Sequence, residues 1–317
     1  MKLIRPSYEI LTQGPGEQGI YNMIETCGKV SYKSEPKGGD TARRFVEARA
    51  KEKHGAVLEF GTVYLRIPIP NPVAFDGKIY SWTAEHAINF YLMNPYSRMV
   101  QKDNVMYVTT NYRVLVDNNR LPDLMYQCEP TEHHVKRYAV KFITDIGLGR
   151  DYLRHRVMSM VQESTCYVNY SKDKNGGQCT FVIPPWIDDS DLAVSAYSTD
   201  EKEKEQDAVW TWLFALKQAE KAYMSLLGMG WQPQQARGVL PLSTKTEFVL
   251  CGFKDAWIHF LRLRSDISAT GDAHPMSIEI ANQVRDEFIK NGYVTDEDLQ
   301  KDVFCVFDVA ICDKPLK

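Results

Sequence analysis

The chain lacks the features that mark membrane and secreted proteins. Its longest apolar run, residues 57–70, is interrupted by polar side chains and falls short of the roughly 20 residues that a membrane helix needs. The first six residues carry charges and a proline, whereas a secretory signal needs an apolar stretch there. We therefore expect a cytoplasmic protein with no membrane segment.

Cysteine is present, but not in a pattern that predicts disulfides or bound zinc. The seven cysteines are odd in number and widely spaced, and no two form a Cys-x-x-Cys pair. Disulfide frameworks and zinc sites both need paired or closely spaced cysteines. We therefore expect free thiols, which fit a reducing cytoplasm, and no metal site.

An excess of positive charge is also missing. The 38 Lys and Arg residues face 41 Asp and Glu residues, which gives a formal net charge of -3. Proteins bind nucleic-acid backbones mainly through an excess of basic side chains. This balance argues against a nucleic-acid partner, although a few local arginines are enough to bind a small anionic ligand.

No repeat, low-complexity segment or linker divides the 317 residues, so we expect a single domain over residues 1–317. Runs with helical spacing and runs rich in β-branched and aromatic residues occur together, which predicts an α/β (α+β) protein. The predicted helices are 18–32, 41–53, 83–93, 121–128, 200–227, 254–263 and 276–291, with another starting near Arg150. The predicted strands are 57–69, 106–116, 135–146 and 303–310.

The junction after the predicted strand 135–146 is the first place where chemistry is expected. Gly147 and Gly149 end this strand, and a helical pattern follows them. Backbone N–H groups without partners, together with the helix dipole, favour anions at such a junction. The basic segment that comes next is therefore a candidate anion site.

That segment, Arg154-His155-Arg156, is followed after seven residues by Ser164. If the three residues are helical, their side chains spread around most of the helix and cannot all face one ligand. The spacing therefore indicates a site shared between chains, or two ligands. A solvated basic turn paired with Asp151 and Glu163 explains the same spacing equally well.

The run RHRVMSMVQES at 154–164 resembles the RHRxxxxxxxS signature of the flavin-dependent thymidylate synthases. Three more segments resemble family segments and occur in the family order: HGAVLE at 54–59, ARGVLP at 236–241 and FLRLR at 260–264. The resemblance extends from about residue 54 to residue 280 and implies one thymidylate-synthase-like domain. Residues 71–134 match less well, and we interpret them as an insertion.

This resemblance implies a fold, a reaction and a set of ligands. The fold would be a central mixed or antiparallel sheet flanked by long helices. The reaction would be the reductive methylation of dUMP to dTMP, with FAD as cofactor and with NADPH and methylenetetrahydrofolate as co-substrates. Active sites in this family lie between the subunits of a homotetramer, which the resemblance also predicts here.

The resemblance also assigns roles to single residues. Arg264 would be catalytic, because a planar charged guanidinium can stabilise the negative charge that develops on the pyrimidine ring. The residues expected to bind dUMP are Arg154, Ser164, Thr165, Cys166, Arg237 and Arg264. Those expected to bind FAD are Arg154, His155, Arg156, Gln162 and His259, while His54 and Glu59 would line the flavin and folate side.

Structural roles are the alternative for these residues. Arg264 could be a helix-terminal arginine paired with Asp266, and the Ser164 hydroxyl could bond only its own backbone. Arg237 could be an ordinary loop residue, and His259 a packed helical histidine.

Cys166 departs from the family pattern, which has an arginine that would help to hold the substrate phosphate. Losing one charged hydrogen bond costs about 1.5–3 kcal/mol, or roughly ten- to a hundredfold in affinity. Further departures are Phe60, Arg150-Asp151 and the extra residues 268–272. Two alternatives therefore stay open: a flavin enzyme of the same fold that alkylates another pyrimidine nucleotide such as dCMP, and a non-catalytic nucleotide- or RNA-binding relative.

Overall fold

The computed structural model describes residues 1–69, 78–172, 176–197, 207–267 and 273–300. The strands are β1 (Lys2–Ile4), β2 (Ser7–Leu11), β3 (Thr62–Pro68), β4 (Arg98–Lys102), β5 (Val105–Asn111), β6 (Arg137–Asp145), β7 (Ser159–Gln162), β8 (Thr180–Val182) and β9 (Lys245–Phe253). The α-helices are α1 (Gly16–Val30), α2 (Gly39–Lys51), α3 (Lys78–Met93), α4 (Tyr112–Asp117), α5 (Ile146–Tyr152), α6 (Asp189–Tyr197), α7 (Ala208–Gly228), α8 (Pro233–Ala236), α9 (Lys254–Arg264), α10 (Pro275–Lys290) and α11 (Asp296–Gln300). Short 3-10 helices cover Gly55–Phe60, Leu121–Tyr126 and Arg237–Val239.

A four-stranded antiparallel sheet of order β2-β6-β9-β7 forms the centre of the fold. Long helices flank this sheet, so the predicted combination of α-helices and antiparallel strands is confirmed. Strand β9 was not predicted, although it pairs with both β6 and β7. Eight of its nine residues are buried, so the apolar and polar alternation that identifies a half-exposed strand is absent.

The central sheet is covered on both faces. Phe248 and Leu250 of β9 pack into a core with Trp257 and Phe260 of α9 and with residues of α10. Val249 and Cys251, which alternate with them, pack against Met23 and Cys27 of α1. Each large apolar side chain buried in this way contributes about 1.5–3 kcal/mol. This packing fixes α9, which ends at Arg264, against the sheet.

A second, three-stranded antiparallel sheet has the order β3-β5-β4, and β1 pairs with β8 in parallel. The predicted strand 57–69 begins only at Thr62, because a 3-10 helix occupies Gly55–Phe60. The predicted strand 106–116 is wrong after Asn111. The Asn111 side chain accepts a hydrogen bond from the Val114 N–H at 3.1 Å and thereby starts α4. Strands β4 and β5 lie within the segment 71–134, whose interpretation as an insertion stays a prediction.

Most predicted helices are confirmed, with ends that shift by a few residues. In the predicted helix 121–128, the residues Leu121–Tyr126 form a 3-10 helix rather than an α-helix. Helix α7 begins at Ala208 because Asp207 caps its first N–H groups; residues 200–206 of the prediction, like the strand 303–310, lie outside the described residues. In the part of the chain that the structure describes, no helix is both long and apolar enough to cross a membrane.

Candidate active site

The signature segment forms a turn between α5 and β7. Of the two alternatives for Arg154, His155 and Arg156, the helix is wrong and the basic turn is observed, because α5 ends at Tyr152 and β7 begins at Ser159. The chain must leave the helix there for β7 to pair with β9. The turn still separates the three side chains: His155 points into the protein and is 6% exposed, whereas Arg154 and Arg156 lie at the surface.

Arg264, the last residue of α9, is held at two points by the end of the α5 segment. Its Nε donates to His155 Nε2 at 3.0 Å, and its Nη2 donates to the Asp151 carbonyl at 2.7 Å. Both acceptors are neutral groups when His155 is unprotonated. The predicted alternative, a pair with Asp266, is not what is observed, because the Asp266 carboxylate contacts Arg285 instead.

The His155 imidazole is kept neutral by its surroundings. Its ring packs against Phe260 at a centroid distance of 4.9 Å. Burial, followed by the positive charge of Arg264 and the nearby His259, lowers the pKa of His155 from 6.5 to about 4. At neutral pH the imidazole is therefore an acceptor, and Arg264 keeps its positive charge for another partner.

More cationic or titratable side chains surround this pair. Arg154 is 76% exposed in its side chain and lies 3.8 Å from the Asp151 carboxylate, which makes a weak ion pair. His259 is exposed on α9, with its ring 5.8 Å from that of His155. We call this set the Arg264 group; its members are Arg154, His155, Arg156, His259 and Arg264. Its donors are suited to an anionic ligand.

A second set of predicted residues lies just beyond the other end of β7. Arg237 Nη1 donates to Thr165 Oγ1 at 3.0 Å. The Ser164 hydroxyl accepts from the Cys166 N–H at 3.3 Å, which is the local bond considered as an alternative. That bond uses an oxygen lone pair and leaves the hydroxyl proton able to bind a ligand. Ser164, Thr165, Cys166 and Arg237 form what we call the Ser164 group.

The predicted dUMP residues are therefore gathered in two groups rather than one. The four residues of β7 separate them, and an extended strand of that length spans about 13 Å. Cys166 is half-buried with a free thiol, so the Ser164 group contains one arginine, Arg237.

Three predicted flavin-side residues contact partners outside both groups. Gln162 Nε2 donates to Thr246 Oγ1 at 3.0 Å, between β7 and β9. His54 is exposed and lies 3.7 Å from Glu52, while Glu59 pairs with Arg113 at 2.6 Å. The structure does not bring these residues to the Arg264 group.

Sequence reasoning missed a buried ion pair beside the Ser164 group. Lys245 Nζ lies 2.8 Å from Glu163 Oε2 and also contacts Glu247, which binds Lys141 at 3.3 Å. Glu163 had been considered as a partner of the basic turn, and that pairing is wrong. The other pairing considered, between the basic turn and Asp151, is observed for Arg154. Lys245 and Glu247 stand at alternate positions of the sequence, which in a strand places both side chains on one face. This pattern could have predicted the ion pair only if β9 had been recognised as a strand.

Comparisons with known proteins identify the family. Residues 105–288 match the family model described as thymidylate synthase complementing protein. A flavin-dependent thymidylate synthase from Thermosipho africanus is 28% identical over 179 residues, which are 53% of this chain and 73% of that relative. Another, from Thermosipho melanesiensis, is 30% identical over 157 residues, 48% of this chain and 63% of the relative.

A solved structure, the UMP/dUMP methylase PolB from Streptomyces cacaoi bound with 5-Br dUMP, is 16% identical with a TM-score of 0.42, over 92% of this chain and 93% of that chain. The family model covers more than half of the chain and includes both groups of candidate residues. The chain belongs to the thymidylate synthase complementing protein family.

Proposed function

We propose that the protein is a flavin-dependent thymidylate synthase that methylates dUMP to dTMP, with FAD as cofactor and NADPH and methylenetetrahydrofolate as co-substrates. The observation that carries this proposal is the position of Arg264, fixed by His155 and by the Asp151 carbonyl. Membership of the family and the names of the relatives support the same reaction class.

Arg264 would act on the pyrimidine ring of dUMP. Two of its N–H groups are used to hold it in place, and the remaining ones can bond the ring oxygen and nitrogen. Because the guanidinium is fixed before the substrate arrives, it stabilises developing negative charge without reorganising during the reaction. Neutral His155 provides that support without adding a second charge.

The Ser164 group would bind the nucleotide phosphate. Arg237 is exposed, and its bond to Thr165 is to a neutral hydroxyl, so its charge is available to a phosphate dianion. The Ser164 hydroxyl and the backbone N–H of Thr165 would supply further donors. Cys166 adds no charge, so phosphate binding would depend mainly on Arg237.

The Arg264 group fits FAD through the chemistry of its donors. Arg154 and Arg156 extend into solvent, and the ion pair between Arg154 and Asp151 is long at 3.8 Å, so an anionic pyrophosphate could replace it. His155 and His259 would contact the same cofactor. The flavin, when bound, supplies the redox chemistry of the reaction.

Because β7 separates the two groups, we propose that each active site takes its Arg264 group from one chain and its Ser164 group from another, in a homotetramer. Gln162, His54 and Glu59 would reach the flavin and folate side only through such a neighbouring chain. The proposal also includes a single domain with an insertion at about 71–134. It further includes a cytoplasmic location, which the free cysteines among the described residues support.

The first experiment is spectroscopic. We expect the purified protein to show the absorption bands of bound flavin, and to oxidise NADPH faster when dUMP and methylenetetrahydrofolate are added. Parallel reactions with dCMP test the alternative substrate that Cys166 suggests. If dCMP stimulates NADPH oxidation and dUMP does not, dUMP is not the substrate. If the protein binds no flavin under any condition, it is not a flavin-dependent enzyme.

A further inference from the structure

The end of helix α1 packs against the segment that carries the Ser164 group. The N–H of Ser164 donates to the carbonyl of Ser31 at 3.2 Å. The next residue of the chain, Tyr32, packs its ring against that of Tyr167 at a centroid distance of 5.6 Å. The residues that follow α1 therefore run alongside residues 164–170, and their side chains belong to the surroundings of the proposed phosphate site.

Lys33 comes next and is half-buried. Its Nζ lies 5.6 Å from the centroid of the ring of Tyr170, a residue that is buried, and the aromatic ring attracts the positive charge. Burial, followed by the positive charge of Lys245, lowers the pKa of Lys33, while the charges of Glu163 and Glu247 oppose that shift. Lys33 is therefore an electrostatic neighbour of the buried ion pair beside the Ser164 group.

The charges of Lys33 and of this ion-pair network do not cancel. Lys245 contacts both Glu163 and Glu247, and Glu247 also binds Lys141 at 3.3 Å. Burial would raise the pKa of Glu247, but the charges of Lys245 and Lys141 lower it. These five residues, which we call the Lys33 cluster, carry three positive and two negative charges when all are ionised, a net charge of +1. Because salt screens buried charges less than exposed ones, this excess charge attracts an anion at the Ser164 group.

We propose that Lys33 attracts the phosphate of dUMP to the Ser164 group and supplies part of the positive charge that Cys166 does not. This inference rests on the proposed function, because it requires the nucleotide phosphate at that group. Arg237 is exposed, so solvent screens its charge, whereas the half-buried charge of Lys33 is screened less. A phosphate dianion binds more tightly when a second positive charge lies nearby. Lys33 is thus a further residue that determines the affinity for the substrate.

Calorimetric titration of the full chain with dUMP, and separately with deoxyuridine, tests the inference, because deoxyuridine has the same base and sugar without the phosphate. Lys33→Met should raise the Kd for dUMP about tenfold, since a positive charge near the phosphate is lost, and should leave the Kd for deoxyuridine unchanged. Lys33→Arg keeps the charge and should bind dUMP as the wild type does. Lys29→Met is the matched control, because Lys29 is also a half-buried lysine of α1, with its Nζ 5.5 Å from the centroid of the Phe45 ring.

Weaker binding of dUMP alone, seen in Lys33→Met but not in Lys33→Arg or Lys29→Met, would assign Lys33 to the phosphate site. Equal weakening of dUMP and deoxyuridine would show that Lys33 serves only the fold. That result, unchanged binding of dUMP, or an equal effect of Lys29→Met would overturn the inference. If the wild type forms dTMP in any of these cases, the proposed function stands while the role of Lys33 fails. A wild type that neither binds dUMP nor forms dTMP would remove the proposed function and this inference with it.

Discussion

His155 links the electrostatics of the site to the stability of the protein. Its pKa is about 4 in the folded chain and 6.5 in an ordinary environment, so between these values the unfolded chain binds a proton that the folded chain does not. Stability therefore falls as the pH drops from about 6.5 towards 4, and the loss is roughly 2 kcal/mol at pH 5.

Urea unfolding at pH 7.5 and pH 5 measures this effect. We expect His155→Gln, which can still accept the Arg264 hydrogen bond, to lose about 2 kcal/mol less than the wild type between the two pH values. Equal losses in both proteins would mean that His155 does not control this part of the pH dependence.

Cys166 is the residue at which the affinity for substrate can be raised. We predict that Cys166→Arg tightens dUMP binding by roughly ten- to a hundredfold, because it adds a charged donor beside Arg237. Cys166→Ser, which adds a hydroxyl but no charge, is the control and should change little. Unchanged or weaker binding of the Arg variant in calorimetry would show that the pocket is built around the cysteine.

Residue types were predictable from the sequence, but their partners were not. The resemblance to the family identified His155 and Ser164 through the signature, and Arg264 through the FLRLR segment, as chemical groups. It could not identify the Asp151 carbonyl as the second acceptor of Arg264, because that atom becomes available only through the way α5 ends. The local Ser164 bond was foreseeable, since serine hydroxyls commonly bond a nearby N–H.

At the scale of elements, the predictions that fail around the site are those that depend on strand β9. It is buried on both faces and lacks the alternation that identifies strands, so its pairing with β7 was not foreseen. Without that pairing, the sequence could not decide whether residues 154–156 continue a helix or form a turn. Helices α2 and α10 were recognised because each has one face in water. Helix α1 was recognised from its helical spacing alone, since none of its residues after the first turn is exposed.

The buried pair of Lys245 and Glu163 should anchor the Ser164 group to β9. Lys245→Met leaves Glu163 without its partner in a site where its side chain is 1% exposed, so we predict a loss of roughly 3–5 kcal/mol in unfolding free energy. Adding Glu163→Leu to the same chain should recover much of that loss, because no charge then stays buried and unpaired.

Chemical denaturation of the two single variants and the double variant measures the coupling. Arg43→Met, which breaks the exposed pair with Glu47 on α2, is the control and should change stability little. Additive effects of the two core substitutions would contradict the anchoring role.

For the whole molecule, the separation of the two groups has a direct consequence. If each active site combines the Arg264 group of one chain with the Ser164 group of another, two inactive variants can complement each other. We predict that Arg264→Ala and Ser164→Ala proteins, each nearly inactive alone, regain part of the activity after they are mixed, unfolded and refolded together.

Light scattering should give the mass of four chains for the wild type and for both variants. A control mixture of Arg264→Ala with Arg264→Lys should stay inactive, since both variants damage the same group. Activity that fails to return in the first mixture, although tetramers form, would place the complete site within one chain.

The mixture of helices and strands was largely predictable from helical and strand-like runs in the sequence, whereas the antiparallel sheet was expected only from the resemblance to the family. The arrangement of three separate sheets among the described residues was not predictable, since it depends on pairings between distant segments such as β3 with β5 and β1 with β8. No local pattern in the sequence encodes those partners.

The most direct test of the central claim is the formation of dTMP. Purified protein supplied with FAD, NADPH, methylenetetrahydrofolate and dUMP should yield dTMP detectable by mass spectrometry. Arg264→Lys, which keeps the charge but loses the planar fork, should reduce kcat about a hundredfold or more, while Arg43→Lys on the distant helix α2 should not. Flavin-loaded wild-type protein that makes no dTMP, or an Arg264→Lys variant as active as the wild type, would contradict the account.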